Sequence, residues 1–262
     1  MAIASRDDYI AAVKQRLTIN KTASIAATAF QQTQNLQAAG NPGAGTLAGA
    51  GVNGVIQTDA TAGYPIINAF TGGATGYLTR IEATAPVVMS ITIADILWKG
   101  GTYPFNAAQA VTSPSWSSRV PGGTDFTGLE LWVEAVTAFT GIPAVTVAYT
   151  DQGGAAGTTG AVAAPAALGI ARQYQLPLAS GDNGLQSITN VTCATATVGT
   201  FNVLVIRPLF RFRIPVAAYT MNFDLTQTGM PQVFADSALQ ALIAPDSTAT
   251  STPYVALEIA NK

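Results

Sequence analysis

Histidine is absent from this chain of 262 residues, and charged residues make up only 10% of it. Histidine is the side chain that enzymes use most often as a general acid or base, and it is also the most common metal ligand. Without it, the chain can form neither a Cys–His pair nor a Ser–His–Asp triad. These absences favour a structural protein over an enzyme.

Cysteine is nearly absent too. The single Cys193 cannot form a disulfide within the chain. It lies in the apolar, β-branched stretch Ile188–Val198, which predicts a small buried hydrophobic residue rather than a nucleophile. A chain of this length buries about 70–75% of its unfolded surface, so it needs no disulfides to fold.

Several classes of partner lack sequence support. The formal net charge is −2 and most basic residues are scattered, which argues against nucleic-acid binding. The uncharged stretch Gly153–Ala171 is interrupted by glycines, a proline and threonines, so it does not predict a membrane span. The acidic N-terminus predicts no secretion signal. No zinc, calcium or phosphate-binding pattern occurs, and we expect no cofactor.

The N-terminal segment has the pattern of a helix. Ser5 followed by Asp8 resembles a capping box, and Ile10, Val13 and Leu17 fall on one helical face. We therefore predict a helix from Arg6 to Leu17. Its apolar face either packs on the chain's own domain or docks on a neighbouring subunit, so these three residues are candidate interface residues.

The following segment, from Thr18 to Phe70, contains little charge and few large apolar side chains. Such a segment buries little surface of its own. We expect residues 1–70 to form the helix and an extended arm over a partner or over the next domain, with fewer ordered contacts in the free protein. The remaining residues, 71–262, are expected to form the main domain.

The rest of the chain has the pattern of β-strands. Leu129, Leu131 and Val133 alternate with Glu130 and Glu134, which is typical of a half-buried strand with its glutamates in solvent. Because short strands follow one another with few helical patterns, we predict a mainly β protein with an antiparallel β-sandwich or jelly-roll-like fold. The other predicted strands are Tyr77–Ala83, Val87–Ala94, Ala144–Thr150, Ala171–Pro177, Gly184–Ala196, Gly199–Arg207, Leu209–Pro215 and Pro253–Ala260.

A second short helix is predicted at Phe234–Ile243, where Phe234, Ala238, Leu239 and Leu242 recur at helical spacing and Pro245 follows.

Two patterns that resemble catalytic motifs have simpler interpretations. Gly49, Gly51 and Gly54 match the spacing of a dinucleotide-binding loop, but no strand precedes them and no helix follows. Glu130 and Glu134 lie about 13 Å apart on one strand face, which is too far for the carboxylate pair of a glycoside hydrolase.

The basic cluster consists of Arg207, Arg211 and Arg213. Arg211 and Arg213 alternate with Phe210 and Phe212, so one face of this strand is cationic and the other is apolar. The cationic face is either solvated or an ion-pairing interface with an acidic neighbour, because arginine pairs well with carboxylates. The three arginines are therefore candidate interface residues.

Several segments together resemble a family of tailed-bacteriophage virion proteins, and the resemblance covers most of residues 39–260. Their order and spacing, rather than any one of them, make the match. The segments are Ala39–Gly45 (AGNPGAG), Pro121–Glu134 (PGGTDFTGLELWVE), Val147–Gly154 (VAYTDQGG), Leu176–Gly184 (LPLASGDNG), Leu204–Leu209 (LVIRPL) and Gly229–Leu239 (GMPQVFADSAL).

The resemblance implies a structural component of a virus particle, with no catalytic residues to carry over. Our first hypothesis is a capsid decoration or cement protein, made in the host cytoplasm and placed on the capsid surface. It would act as a homotrimer that bridges subunits of the major capsid protein. A tail, baseplate or fibre component is the alternative, and a carbohydrate hydrolase ranks third.

Overall fold

The computed structural model describes residues 3–22, 31–33, 36–165, 168–195, 199–246 and 252–262. Within these ranges the chain is mainly antiparallel β and contains two short α-helices, α1 (Arg6–Ala11) and α2 (Leu225–Thr228). Its strands are β1 (Val13–Lys21), β2 (Gln31–Thr33), β3 (Gly40–Asn41), β4 (Gly51–Ile56), β5 (Gly76–Thr84), β6 (Met89–Pro104), β7 (Asn106–Ala110), β8 (Glu130–Ala135), β9 (Ala144–Asp151), β10 (Ala156–Thr158), β11 (Val162–Ala163), β12 (Arg172–Leu176), β13 (Leu185–Ala194), β14 (Thr200–Ile214), β15 (Thr220–Phe223), β16 (Gln232–Val233), β17 (Leu239–Pro245) and β18 (Tyr254–Asn261).

The described strands form three sheets. One sheet has the order β15-β5-β18-β1-β3, with β16 also on β5, and a second has the order β10-β9-β13-β7, with β11 also on β9. The third sheet has the order β14-β8-β12-β2-β17-β6-β4, and β14 also pairs with β6. That extra pairing joins β14, β8, β12, β2, β17 and β6 into a closed ring of hydrogen-bonded strands.

The long strands β6 and β14 contribute to two separate packings of one sheet on another. On one part of the ring, Leu131, Val133 and Val203 pack against Val147 and Val191 of the β9–β13 sheet. On the other part, the ring packs against the β5–β18–β1 sheet through a separate apolar cluster. Each of these two packed pairs of sheets is a β-sandwich, so the predicted sandwich class is confirmed. The jelly-roll topology stays a prediction.

A third apolar cluster is built from the opposite faces of the ring strands. Ala94 and Ile96 of β6, Trp132 of β8, Leu204 of β14 and Leu242 of β17 belong to it. Strand residues alternate between two faces, and the ring strands bury both. This explains why β8, β14 and β17 contain so few exposed side chains.

The predicted helix from Arg6 to Leu17 is wrong in its second half. Its start is as expected, because the Ser5 hydroxyl accepts a hydrogen bond from the Asp8 amide at 3.1 Å, but the helix ends at Ala11. Val13 and Leu17 then lie in β1, which pairs with β18 from Val13 to Ile19. A strand held by pairing on both sides replaces a helix that would have had only a narrow apolar stripe.

The predicted helix at Phe234–Ile243 is also wrong. Residues from Leu239 to Pro245 form β17, which pairs with β6. Leu239, Ala241 and Ile243 point into one apolar cluster, while Ala238 and Leu242 belong to another. A strand buried on both faces lacks alternation, so its apolar residues also fit helical spacing.

The described part of the first 70 residues lies over the rest of the chain, which is one of the two placements expected. β1 sits between β18 and β3, and Leu36, Leu47, Tyr64 and Ile67 are buried. Residues 23–30 and 34–35 lie outside the described residues. The division into an arm and a domain at residue 70 stays a prediction. In the described ranges, no helix has the length and apolar character needed to cross a membrane.

Candidate functional site

Arg211 and Arg213 lie on the exposed end of β14 and form ion pairs within the chain. The Arg211 guanidinium contacts both carboxylate oxygens of Glu130, at 2.6 and 2.7 Å, and Arg213 pairs with Asp246. Both arginines remain about half exposed. Each therefore already has an acidic partner on its own chain, and a contact with a neighbouring subunit stays a prediction.

Arg207 is instead buried in a polar network around Asp95. Its guanidinium lies 3.4 Å from an Asp95 carboxylate oxygen and donates to the Gln232 carbonyl at 2.8 Å. The Ser237 hydroxyl donates to the same Asp95 oxygen at 2.8 Å, and Arg119 pairs with the other Asp95 oxygen. Burial lowers the pKa of Arg207, and the Asp95 charge opposes this effect. The network anchors loops to the central strands.

A second buried polar network surrounds Glu134 of β8. Its carboxylate accepts hydrogen bonds from the side-chain amides of Gln173 and Asn202, each at 3.0 Å, and pairs with Lys99 at 3.4 Å. The expectation that Glu134 is solvated on an outer strand face is therefore wrong. Only Glu130 is partly exposed, and it binds Arg211.

Tyr64 lies close enough to both networks for their charges to act on its hydroxyl. It is buried, and this burial raises the pKa of its hydroxyl, which the negative charges of Glu134 and Asp95 raise further. Tyr64 belongs to the same apolar cluster as Trp132 and Leu204. The two ionic networks are thus neighbours inside the ring, and they are shielded from solvent by aromatic and aliphatic side chains.

The N-terminal residues that were predicted as an interface separate in the structure. Ile10 and Val13 are each 61% exposed, whereas Leu17 is buried in the core beneath the β5–β18–β1 sheet. Ile10 borders an apolar cleft of about 630 Å³, which is also lined by Ile3, Tyr9, Leu225 and Met230. Only Ile10 and Val13 are therefore available to a partner.

The outer face of the β9–β13–β7 sheet carries small, uncharged side chains. In the register of these strands, Thr146 lies opposite Thr192, and Ala148 lies opposite Asn190. Their neighbours Val145, Val147 and Val191 point inward and are buried. We call this surface the small-residue face; it consists of Ala108, Ala110, Thr146, Ala148, Thr150, Ser187, Asn190 and Thr192, all of them partly or fully exposed.

This surface was not identified from the sequence. The alternation of Val145, Val147 and Tyr149 with Thr146, Ala148 and Thr150 was the signal that could have found it. Cys193, on the inner side of the same sheet, is buried as predicted.

Among the residues that the structure describes, no three Cys, Asp or Glu side chains are grouped in a way that could hold a metal ion. Two of the three glycines of the motif lie in a strand. Gly51 and Gly54 belong to β4, which pairs with β6.

No family model matches the chain, and no curated protein matches it significantly. Solved structures that are similar to it include particles derived from infectious bursal virus with T=1 symmetry, with 8% identity over 95% of this chain and 78% of that chain, at a TM-score of 0.17. Others are the infectious bursal disease virus Gx strain (11% identity, 95% and 80% coverage, TM-score 0.16) and the VP2 subviral particle of the same virus (7%, 95% and 79%, TM-score 0.16). TM-scores this low carry no argument about fold or function.

Proposed function

We propose that this chain is a structural protein of a tailed-bacteriophage particle, and that it acts as a capsid decoration or cement protein. In this role it bridges subunits of the major capsid protein on the outside of the head. The resemblance of residues 39–260 to phage virion proteins motivates the proposal. The pairing of Glu130 with Arg211 argues against a glycoside hydrolase, because one of its two candidate carboxylates is already engaged.

The small-residue face is the observation that carries the proposal. A protein that fills joints between capsid subunits must cover surface without leaving charges buried and unpaired, which costs several kcal/mol per ion. Ala, Thr, Ser and Asn side chains cost little to desolvate and allow a flat sheet to approach closely. The core of a protein interface is likewise depleted in charge. We therefore place the capsid contact on this face.

We further propose that the protein is a homotrimer. Ile10 and Val13 are exposed apolar residues, and Ile10 borders the apolar cleft; such surface is commonly covered in an assembly. Sedimentation equilibrium of the purified protein measures this directly. A monomer at micromolar concentration would contradict the trimer while leaving the capsid role open.

Gel quantitation of purified particles is the first experiment for the capsid role. A decoration protein is present in hundreds of copies, whereas a tail, baseplate or fibre component is present in small multiples of three or six. Particles that lack the protein should assemble but burst more readily on heating or osmotic shock. If they are equally robust and fail to adsorb to cells, the tail alternative replaces the decoration role. Absence of the chain from particles overturns both.

The contact surface is tested with a matched pair of variants. Thr146→Glu places a charge in the middle of the small-residue face, so we expect it to weaken binding to assembled capsids at least tenfold. Thr220→Glu makes the same change at an exposed position on the edge strand β15 of another sheet. It should bind like the original protein. Equal binding by both variants would place the contact elsewhere.

A further inference from the structure

Two buried side chains, from β6 and β14, meet at one carboxylate oxygen of a third buried side chain, from β8. Lys99 of β6, Glu134 of β8 and Asn202 of β14 are 4%, 2% and 0% exposed. Asn202 lies directly opposite Glu134, and Lys99 lies opposite Leu204, two residues further along β14. This diagonal arrangement brings a long side chain within reach of its neighbour.

The contacts hold these three groups close together in a fixed arrangement. Glu134 Oε2 lies 3.4 Å from Lys99 Nζ and accepts a hydrogen bond from Asn202 Nδ2 at 3.0 Å. Asn202 Nδ2 also donates to the Leu47 carbonyl at 2.7 Å, and these two acceptors fix the orientation of the amide. Among the described residues, nothing donates to Asn202 Oδ1. An amine, a carboxylate and a primary amide are thus confined together away from solvent.

Lys99 is held only loosely for a buried cation. Its Nζ lies 3.4 Å from Glu134 and 3.3 Å from the Thr46 carbonyl, whereas strong charge-assisted hydrogen bonds measure about 2.7–2.9 Å. A buried ion pair carries a large desolvation cost unless its geometry is excellent. Transfer of one proton from Lys99 to Glu134 converts the pair into a neutral amine and a carboxylic acid, which removes that cost.

We propose that Lys99 and Asn202 become joined by an intramolecular amide bond, with Glu134 as the proton carrier. The neutral Lys99 Nζ attacks Asn202 Cγ, the Nζ–Cγ bond forms, the Cγ–Nδ2 bond breaks, and Nδ2 leaves as ammonia. Of the three protons on the Lys99 ammonium, one stays on the new amide nitrogen, one leaves with the ammonia and one remains on Glu134. The reaction needs no oxidant, cofactor or second protein.

Confinement of the three groups in the folded protein raises the rate of this reaction. Groups held together in a folded site react far faster than the same groups free in solution, because their translational and rotational freedom is already restricted. The released ammonia is diluted into solvent, so the product accumulates. The bond would tie β6 covalently to β14, the two strands that both sandwiches share. This assignment concerns the chain itself and does not depend on the capsid role.

Intact-mass measurement of the purified, denatured protein tests the bond. We expect the mass to be lower than the sequence mass by one ammonia molecule. Lys99→Met and Glu134→Gln should each show their full sequence mass. Lys21→Met should keep the deficit, because Lys21 is also buried but its Nζ is held by the carbonyls of Pro42 and Gly43, at 2.7 and 2.8 Å.

Peptide mapping of the unsubstituted protein distinguishes the bond from other losses of ammonia and needs no variant to fold. Asn53–Gly54 and Asn183–Gly184 could each close to a succinimide with the same mass change. Trypsin cleaves after Lys and Arg but not before Pro, so the proposed bond gives one species that joins residues 81–119 to residues 173–211. A full sequence mass, with separate peptides 81–99 and 100–119, would overturn the proposal.

Discussion

Asp95 is a fully buried carboxylate that Arg119, Arg207 and Ser237 surround. We predict that Asp95→Asn lowers the free energy of unfolding by about 3–5 kcal/mol, because it removes the carboxylate that two buried guanidinium groups share. Among the described residues, Arg119 then keeps only the half-exposed Asp236 as an acidic partner, at 3.5 Å. Asp246→Asn removes the partner of Arg213 at a half-exposed site and should cost less than about 1 kcal/mol.

Urea unfolding of these two variants measures both values. Equal, small effects would mean that solvent reaches the Asp95 network. This network could not be predicted from the sequence, because Asp95 and Arg207 are 112 residues apart and nothing in the local pattern of either segment indicates their pairing. The alternation of Arg211 and Arg213 with phenylalanines was visible, but their acidic partners were not.

Gly54 lies against Trp98, whose indole nitrogen donates to the neighbouring Asn53 carbonyl at 3.1 Å. The φ of Gly54 is +62°, and a Cβ on Gly54 would come within 2.4 Å of the indole ring. We predict that Gly54→Ala lowers the free energy of unfolding by about 1–3 kcal/mol through strain and overpacking. Gly43→Ala has open space and should be neutral or stabilising by at most about 1 kcal/mol. Thermal unfolding of both variants measures the difference, and an equal response would contradict it.

The segment α1–β1 shows how neighbouring strands decide between two patterns. Ile10, Val13 and Leu17 fit helical spacing, but Leu17 and Ile19 also alternate with Thr18 and Asn20. The second pattern succeeds because β18 and β3 supply hydrogen-bonding partners on both sides. Those partners lie elsewhere in the chain, so the sequence of the segment alone does not reveal them.

The sequence predicts two strands in the region of β14, Gly199–Arg207 and Leu209–Pro215, because Pro208 lies between them. The structure forms one strand with an irregular register between Pro208 and Phe210, and a bulge of this kind is where a sheet tolerates proline. The strand class and the approximate positions were therefore predictable. The length of the strand, which decides that both sandwiches share it, was not.

Helix α1 is fixed to the C-terminal residue by an ion pair between Asp8 and Lys262. This contact, with the Ser5 hydroxyl and the Ala4 amide, lowers the pKa of Asp8 from 3.8 to about 2. Since the folded pKa is below the ordinary value, the stabilisation is present above pH 3.8 and is lost as the pH falls toward 2.

We predict that Lys262→Met raises the pKa of Asp8, as measured by NMR titration of its carboxyl carbon. Lys14→Met is the control, because the Lys14 ammonium binds backbone carbonyls of Tyr9 and Ile10 instead. An unchanged Asp8 titration in Lys262→Met would show that the ion pair does not form in solution.

The two sandwiches share β6 and β14, so neither can lose its central strands without disturbing the other. We predict a single cooperative unfolding transition. The three tryptophans, Trp98, Trp116 and Trp132, lie in the cluster with β9 and β13 or inside the ring, so their fluorescence reports on those regions alone. Circular dichroism in the far ultraviolet reports on all sheets, and the two curves should coincide.

A core substitution in the other sandwich sharpens this test. Ile81 is fully buried beneath the β5–β18–β1 sheet, and Ile81→Ala should lower the midpoint of both curves equally by creating a cavity that costs about 2–5 kcal/mol. A fluorescence midpoint that does not move would mean that the two sandwiches unfold independently.

The strand pairing also determines how the molecule responds to tension. Val13 pairs with Asn261 at one end of the β1–β18 ladder, so a force that pulls these two residues apart loads one pair at a time and unzips the strands. A force applied lengthwise between β6 and β14 instead shears their whole ladder, from Met89–Ile214 to Pro104–Thr200, at once. We expect the second direction to be much stiffer, which makes these two strands the axis along which the protein can transmit mechanical load.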